Sequence, residues 1–239
     1  MSDAIEGDPV ERTLKDRADL YGFLGRALVE ELDETMLESL VASDDSQLES
    51  LEAEAADVGA EPLDGSEKLQ AFREEIHDLE DAEREELLQD LDGSYGRLFH
   101  MNTSKSVTPY ESYYRNGGKL FQESYTQVKK IMKELGYEGF EDHSEPADHA
   151  GFELEFMAFL SRGALSQYQD GNVEYATRYL NLQAEFLEAH ISKWVPKLCA
   201  EIAEKTDSEF YQGVAQIAGS LIEEDPEMIE TLQKELAAR

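Results

Sequence analysis

The stretch Glu145-Pro146-Ala147-Asp148-His149-Ala150-Gly151-Phe152-Glu153-Leu154-Glu155-Phe156-Met157-Ala158-Phe159-Leu160 decides the fold class. Pro146 fixes the chain direction, and Asp148 is of the type that accepts hydrogen bonds from the free N–H groups of a helix start. Behind it, Phe152, Phe156, Phe159 and Leu160 recur at helical spacing, so a helix is predicted from Asp148 to about Tyr168, stopped by Gln169-Asp170-Gly171-Asn172. His149 would then project from the first turn, beside the free ends of the backbone dipoles.

Working outward, the same three-and-four spacing continues. Leu14, Ala18, Tyr21, Leu24 and Leu28 form one stripe over about residues 9–31, and Asp33 can cap a short helix ending near Val41. An acidic helix is predicted from Ser46 to Ala56, a linker from Asp57 to Asp64, and helices from Ser66 to His77 and from Asp81 to about Phe99. Residues 100–118, with Pro109 and Asn116-Gly117-Gly118, read as an ordered loop or short helical turns. Glu123 to Leu135 reads as a helix ended by Gly136, and Tyr137 to Ala147 as a loop. A long helix follows from Val173 to about Lys193, and Pro196 suits the first turn of the next. Asp207 and Asp225-Pro226 are expected to start the last two helices. No β-branched run alternates with period two, so the expectation is an all-α protein, one globular domain of about ten helices spanning residues 1–239.

Charge divides that domain in three. The 239 residues carry 54 acids against 21 bases, a formal net charge of -33. Residues 1–92 account for 30 acids and 7 bases, 93–145 for 7 and 7, and 146–239 for 17 and 7. Acid at this density points to a salt-rich host, where carboxylates keep a surface hydrated and salt screens their repulsion, or to basic partners. Nucleic acid is an unfavourable partner, because nothing here clusters enough Lys and Arg to displace counterions from phosphates. The acidic N-terminus has no basic head followed by an apolar run, and no stretch is long enough to span a bilayer, so a cytoplasmic protein without a membrane span is expected. The lone Cys199 forms no internal disulfide. The neutral middle, residues 93–147 in domain terms, holds nine aromatics within 93–145 and is the expected recognition region between acidic N-terminal helices (1–92) and C-terminal helices (148–239).

Two constellations stand out. One is Glu145-Pro146-Ala147-Asp148-His149, which reads either as a helix cap with a packed histidine or as a source of hydrogen bonds to a bound peptide. The other is Tyr95-Gly96-Arg97-Leu98-Phe99 with Pro109-Tyr110-Glu111-Ser112-Tyr113-Tyr114, either core or a tyrosine-rich contact surface. Glu155, on the face of Phe152 and Phe159, is expected to pair with Arg97, Arg115 or Arg162. Phosphate-binding glycine loops are missing, one cysteine supports no zinc pattern, and Glu74-x-x-His77 is half of a di-iron signature. A helical enzyme using a metal at Glu145, Asp148 and His149 is the weaker reading; no catalytic residue is assigned.

In order, these pieces resemble the TorD/DmsD/NarJ family of cytoplasmic chaperones for molybdenum-containing oxidoreductases. The run is Tyr95-x-x-Leu98-Phe99, Pro109-Tyr110-x-Ser112-x-Tyr114, Glu145-Pro146-x-Asp148-His149, Glu153-Leu154-x-Phe156-Met157-x-x-Leu160, Phe186-Leu187-x-x-His190-x-x-x-Trp194 and Phe210-Tyr211. The resemblance implies a TorD-like helical bundle that is not an enzyme, and that binds the catalytic subunit of a DMSO, TMAO or nitrate-type reductase, often through its twin-arginine leader, until cofactor insertion precedes export. It implies peptide-binding residues Tyr95, Leu98, Phe99, Pro109, Tyr110, Ser112, Glu145, Pro146, Asp148 and His149, no cofactor beyond weak guanine nucleotide binding in some members, and a monomer or domain-swapped dimer. Family members often carry tryptophan where Tyr95 and Tyr110 stand, which implies a more polar groove here. A permanent assembly scaffold for a non-exported reductase is the alternative within the same family.

Overall fold

The computed structural model describes residues 8–42, 63–77, 79–101 and 103–239, so the acidic helix predicted at Ser46 to Ala56 and most of the linker lie outside the described residues. Ten α-helices run through the described residues: α1 Pro9–Val29, α2 Glu34–Ala42, α3 Ser66–His77, α4 Asp81–Tyr95, α5 Glu111–Arg115, α6 Glu123–Glu134, α7 Ala150–Gln169, α8 Val173–Ala189, α9 Val195–Lys205 and α10 Glu209–Ala237. The fold is all-α, with one isolated antiparallel bridge, Tyr110 to His149, among the described residues. One contiguous apolar core runs from Val10 on α1 to Leu236 on α10, its burial supplying the main stabilising free energy.

Helix α1 lies along α7 in the most extensive pairing of the fold, with α7 against α8 and α9 against α10 next. What lets α1 and α7 close is a pair of glycines. A Cβ on Gly25 would fall 2.7 Å from the Gly151 carbonyl oxygen, and one on Gly151 would fall 2.6 Å from the Gly25 carbonyl oxygen. The two backbones therefore touch, and Gly151 owes its place after His149 to packing.

Several helix starts differ from expectation by a turn or a residue. Asp33 Oδ1 accepts the Met36 amide at 2.8 Å, as the sequence suggests. Ser208, one residue past Asp207, is the N-cap of α10, because Asp207 is drawn to Lys105 at 2.6 Å. The expected break at Asp225-Pro226 does not occur: α10 runs straight through as 29 residues with Pro226 inside it. Proline in a helix interior removes one backbone bond and normally breaks the rod. Here Asp225 holds the segment from within, accepting from Arg17 Nε and Nη2 at 2.7 Å each and from Tyr21 Oη at 2.8 Å. Arg17 Nη1 also donates to Gln183 Oε1 at 2.8 Å, which accepts from Ser161 Oγ at 2.9 Å. All five side chains are buried, so one satisfied polar network ties α1, α7, α8 and α10 together.

The end of α4 also departs from a plain helix. Gly96–His100 forms a π-helical turn closed by Met101 N donating to Gly96 O at 2.9 Å. A π-turn inserts a residue into the helical register, which rotates Phe99 and His100 toward Tyr95, at ring separations of 4.8 and 5.3 Å.

Candidate functional site

The two constellations meet in space through backbone bonds. Glu111 N donates to Asp148 O and Ala150 N donates to Pro109 O, both at 2.9 Å, so residues 109–112 lie antiparallel to 148–150. The cap assignment of this junction is corrected. His149, not Asp148, is the N-cap of α7, its Nδ1 accepting the Gly151 amide at 3.1 Å. Asp148 instead reaches across the bridge, Oδ2 accepting the Ser112 amide at 2.9 Å at the start of α5. The swap follows from the extended backbone of His149 (φ -74°, ψ 138°): a residue paired in a bridge sends alternate side chains to opposite sides, and Asp148 falls on the α5 side.

His149 works as an acceptor only when Nδ1 is unprotonated. Burial lowers its pKa to about 3, with smaller contributions from His143 and His100, so the ring is neutral and its Nδ1 lone pair is free for the cap. Burial likewise raises Asp148, outweighing the stabilising bonds from Ser112.

A layer of buried acid lies beneath the bridge. The Glu111 carboxylate faces His190 Nδ1 at 3.1 Å to each oxygen and is also bonded by Arg115. Glu153 Oε2 accepts Trp194 Nε1–H at 3.1 Å, while burial first, and the Glu111 charge second, raise the Glu153 pKa well above the carboxylate range. A protonated Glu153 is neutral, which removes the cost of burying a second charge. His190 and Trp194 thus belong to the same assembly as Pro109-Tyr110 and Glu145-Pro146, although 44 to 85 positions separate them in sequence. No local motif marks Glu111 or Glu153 as buried partners; two acids inside apolar or aromatic runs are the available signal.

The candidate residues divide by exposure. Tyr95, Leu98, Pro109, Ser112, Asp148 and His149 are buried, whereas Phe99, Tyr110, Glu145 and Pro146 are half-buried and reach the surface. Tyr95 Oη donates to the Leu28 carbonyl near the end of α1 at 3.3 Å. Tyr110 Oη donates to Glu145 Oε2, its ring edge-on to His149 at 5.3 Å. Burial raises the Tyr95 phenol, and the charges of Glu145, Glu31 and Glu30 raise it further. Glu30 also lies 3.8 Å from His143 Nε2. Glu30 is the C-cap of α1 and Glu31 follows it, and no local motif marks either.

Among the described residues Glu155 makes no ion pair with an arginine, although the Arg162 charge acts on it. Its Oε2 accepts Tyr137 Oη at 2.8 Å, because the 137–147 loop folds back on α7 and places Tyr137 between Phe156 and Phe159 at 5.6 and 5.7 Å. Two open clefts lie elsewhere, one of about 410 Å³ floored by Phe72, Leu91 and Phe210 and one of about 190 Å³ beside Cys199.

An all-helical chain with this bridged site belongs to a recognised class. The sequence profile of the nitrate reductase delta subunit family matches residues 66–200, more than half of the chain, and the protein is a member of that family. Among its curated relatives are the chaperone protein TorD of Vibrio cholerae, 24% identical over 220 residues and covering 92% of this chain and 94% of the relative, and TorD of Shewanella pealeana, 23% identical over 242 residues and covering 96% of each. A crystal structure described as a candidate redox enzyme maturation protein from Archaeoglobus fulgidus aligns with a TM-score of 0.44 at 18% identity, over 92% of this chain and 93% of that one.

Proposed function

We propose that the protein is a maturation chaperone for the catalytic subunit of a molybdenum reductase, and that it holds the subunit's twin-arginine leader at the surface formed by Phe99, Tyr110, Glu145 and Pro146. The observation that carries this reading is the half-buried aromatic surface of Phe99 and Tyr110 with the Glu145 carboxylate bonded to Tyr110 at its edge. Aromatic faces suit the apolar stretch of a leader, and carboxylates suit its arginines. In this reading the buried members, Tyr95, Leu98, Pro109, Ser112, Asp148 and His149, position the surface and do not touch the peptide. The relatives named TorD chaperones, matched over nine-tenths of their length, support the role.

Titration calorimetry with a synthetic twin-arginine leader peptide tests the site. Glu145→Gln removes a surface charge and keeps an acceptor for Tyr110, and Tyr110→Ala removes the aromatic contact. Each is expected to weaken binding on the order of tenfold with helicity unchanged by circular dichroism. Equal affinity for wild type and both variants would refute the site.

A further inference from the structure

The loop joining α5 to α6 holds its apolar side chains away from the core. Gly117 and Gly118 (φ 63° and 81°) and Phe121 (φ 56°) all adopt left-handed backbone, a region that a bulky side chain occupies only under strain. Asn116 Nδ2 pins the loop's start, donating to Ser112 O at 3.1 Å and Ser124 Oγ at 2.9 Å. The outcome is exposure: Phe121 is 59% exposed, Leu120 37% and Tyr113 38%. Phe121 meets Tyr125 edge-on at 5.3 Å. Folding alone favours the opposite, an unstrained backbone with its aromatic ring covered.

The segment that carries this loop and α6 is basic in an otherwise acidic chain. Between Arg115 and Glu134 lie five bases and two acids, a net of +3, whereas the other 219 residues sum to -36 against the total of -33. Arg115, Lys130 and Lys133 are paired with Glu111, Glu134 and Glu141. Lys119, Lys129 and Lys197 have no carboxylate partner among the described residues; Lys129 Nζ lies 5.4 Å from the Tyr125 ring centre and Lys197 Nζ 5.4 Å from that of Tyr114, the neighbour of Tyr113.

We propose that this patch, centred on Phe121 and Leu120 with Lys119 and Lys129 beside them, is a second docking surface that takes an acidic segment of the client protein in which carboxylates flank apolar side chains. The proposal rests on the chaperone reading for the existence of a client, but not on the leader site. Charge complementarity selects the occupant: a leader's arginines are repelled by the unpaired lysines, and an anionic membrane is repelled by the rest of the chain.

The test uses the full chain and fluorescence anisotropy with a labelled amphipathic peptide of Glu and Leu at helical spacing, its Lys-for-Glu counterpart, and vesicles of phosphatidylcholine with phosphatidylglycerol. The Glu peptide is expected to bind, the Lys peptide not to bind at this patch, and salt to weaken the Glu complex. Phe121→Gly and the double variant Lys119→Glu/Lys129→Glu are each expected to lower its affinity on the order of tenfold. Glycine takes positive φ freely, so Phe121→Gly is also expected to melt no lower than wild type, which a ring needed for folding would not allow. Binding unaffected by both variants, equal binding of the two peptides, or vesicle binding that depends on Phe121 without peptide binding would each overturn the proposal. Twin-arginine peptide affinity is expected to be unchanged in both variants; its absence in wild type would refute the leader site and leave the Glu-peptide result standing.

Discussion

The Asp148 carboxylate accepts the amide of Ser112, 36 residues earlier in the chain, at 2.9 Å and so caps the start of α5. Together with the two backbone bonds of the bridge, it converts two sequence motifs into one rigid junction. The role of this aspartate is to hold Tyr110 and Glu145 in mutual reach.

Asp148→Ala should therefore cost stability. The cap is the Ser112 bond itself, and a buried N–H left without its acceptor costs about 1–3 kcal/mol. Asp148→Asn keeps an acceptor oxygen and removes a carboxylate whose ionisation burial disfavours, so its loss should be about half as large or less. Urea denaturation followed by far-UV circular dichroism measures both; equal losses would show that the Ser112 bond contributes nothing.

Gly151→Ala should be more damaging than an added methyl on an exposed helix. The new Cβ would sit 2.6 Å from both the Gly25 carbonyl oxygen and Val29 Cβ, and backbone cannot yield as a flexible side chain does. Overpacking of this kind costs about 1–3 kcal/mol, occasionally more, and should appear as a fall in Tm of about 2–4 °C per kcal/mol for a chain of this size. Gly163→Ala is a useful contrast: it meets the Tyr179 ring at 2.5 Å, a side chain at the half-buried surface that can swing away.

Two buried groups give stability opposite slopes with pH. His149 has its folded pKa depressed to about 3, so its contribution is complete above the unfolded value near 6.5 and declines as pH falls toward 3, by about 2–3 kcal/mol at about pH 4.5. Glu153 has its folded pKa raised, so its contribution is complete below the unfolded value near 4.5 and is lost as pH rises. Glu153→Gln should thus be at least as stable as wild type at neutral pH and lose stability more steeply on acidification. His149→Asn, which preserves a cap acceptor, should flatten the acid limb. Trp194, the sole tryptophan and the donor to Glu153, reports both transitions by fluorescence. A wild-type stability curve unchanged in shape by either substitution would contradict these assignments.

The elements were largely legible from spacing and caps. Ser66 to His77 and Glu123 to the turn at Gly136 follow local signals alone, since an apolar stripe and a terminating glycine act within one element. Side-chain allegiance was not legible. Asp148, Asp207 and Asp225 each have a local reading as a helix cap, and each is claimed by a partner distant in sequence: the Ser112 amide, Lys105 and Arg17.

The candidate site shows the same division. Its aromatic and acidic residue types, and the order of its pieces, were present in the chain as written, because composition and helical periodicity are properties of neighbours. Which of those residues reach the surface, how Glu111 is bonded by His190 and Arg115, and how Glu153 takes the Trp194 N–H on one oxygen were decided by the crossing of α1 and α7 and the bridge at Tyr110 and His149. Burial and pairing depend on atoms brought together across the whole fold, so desolvation and charge acquire their values only there.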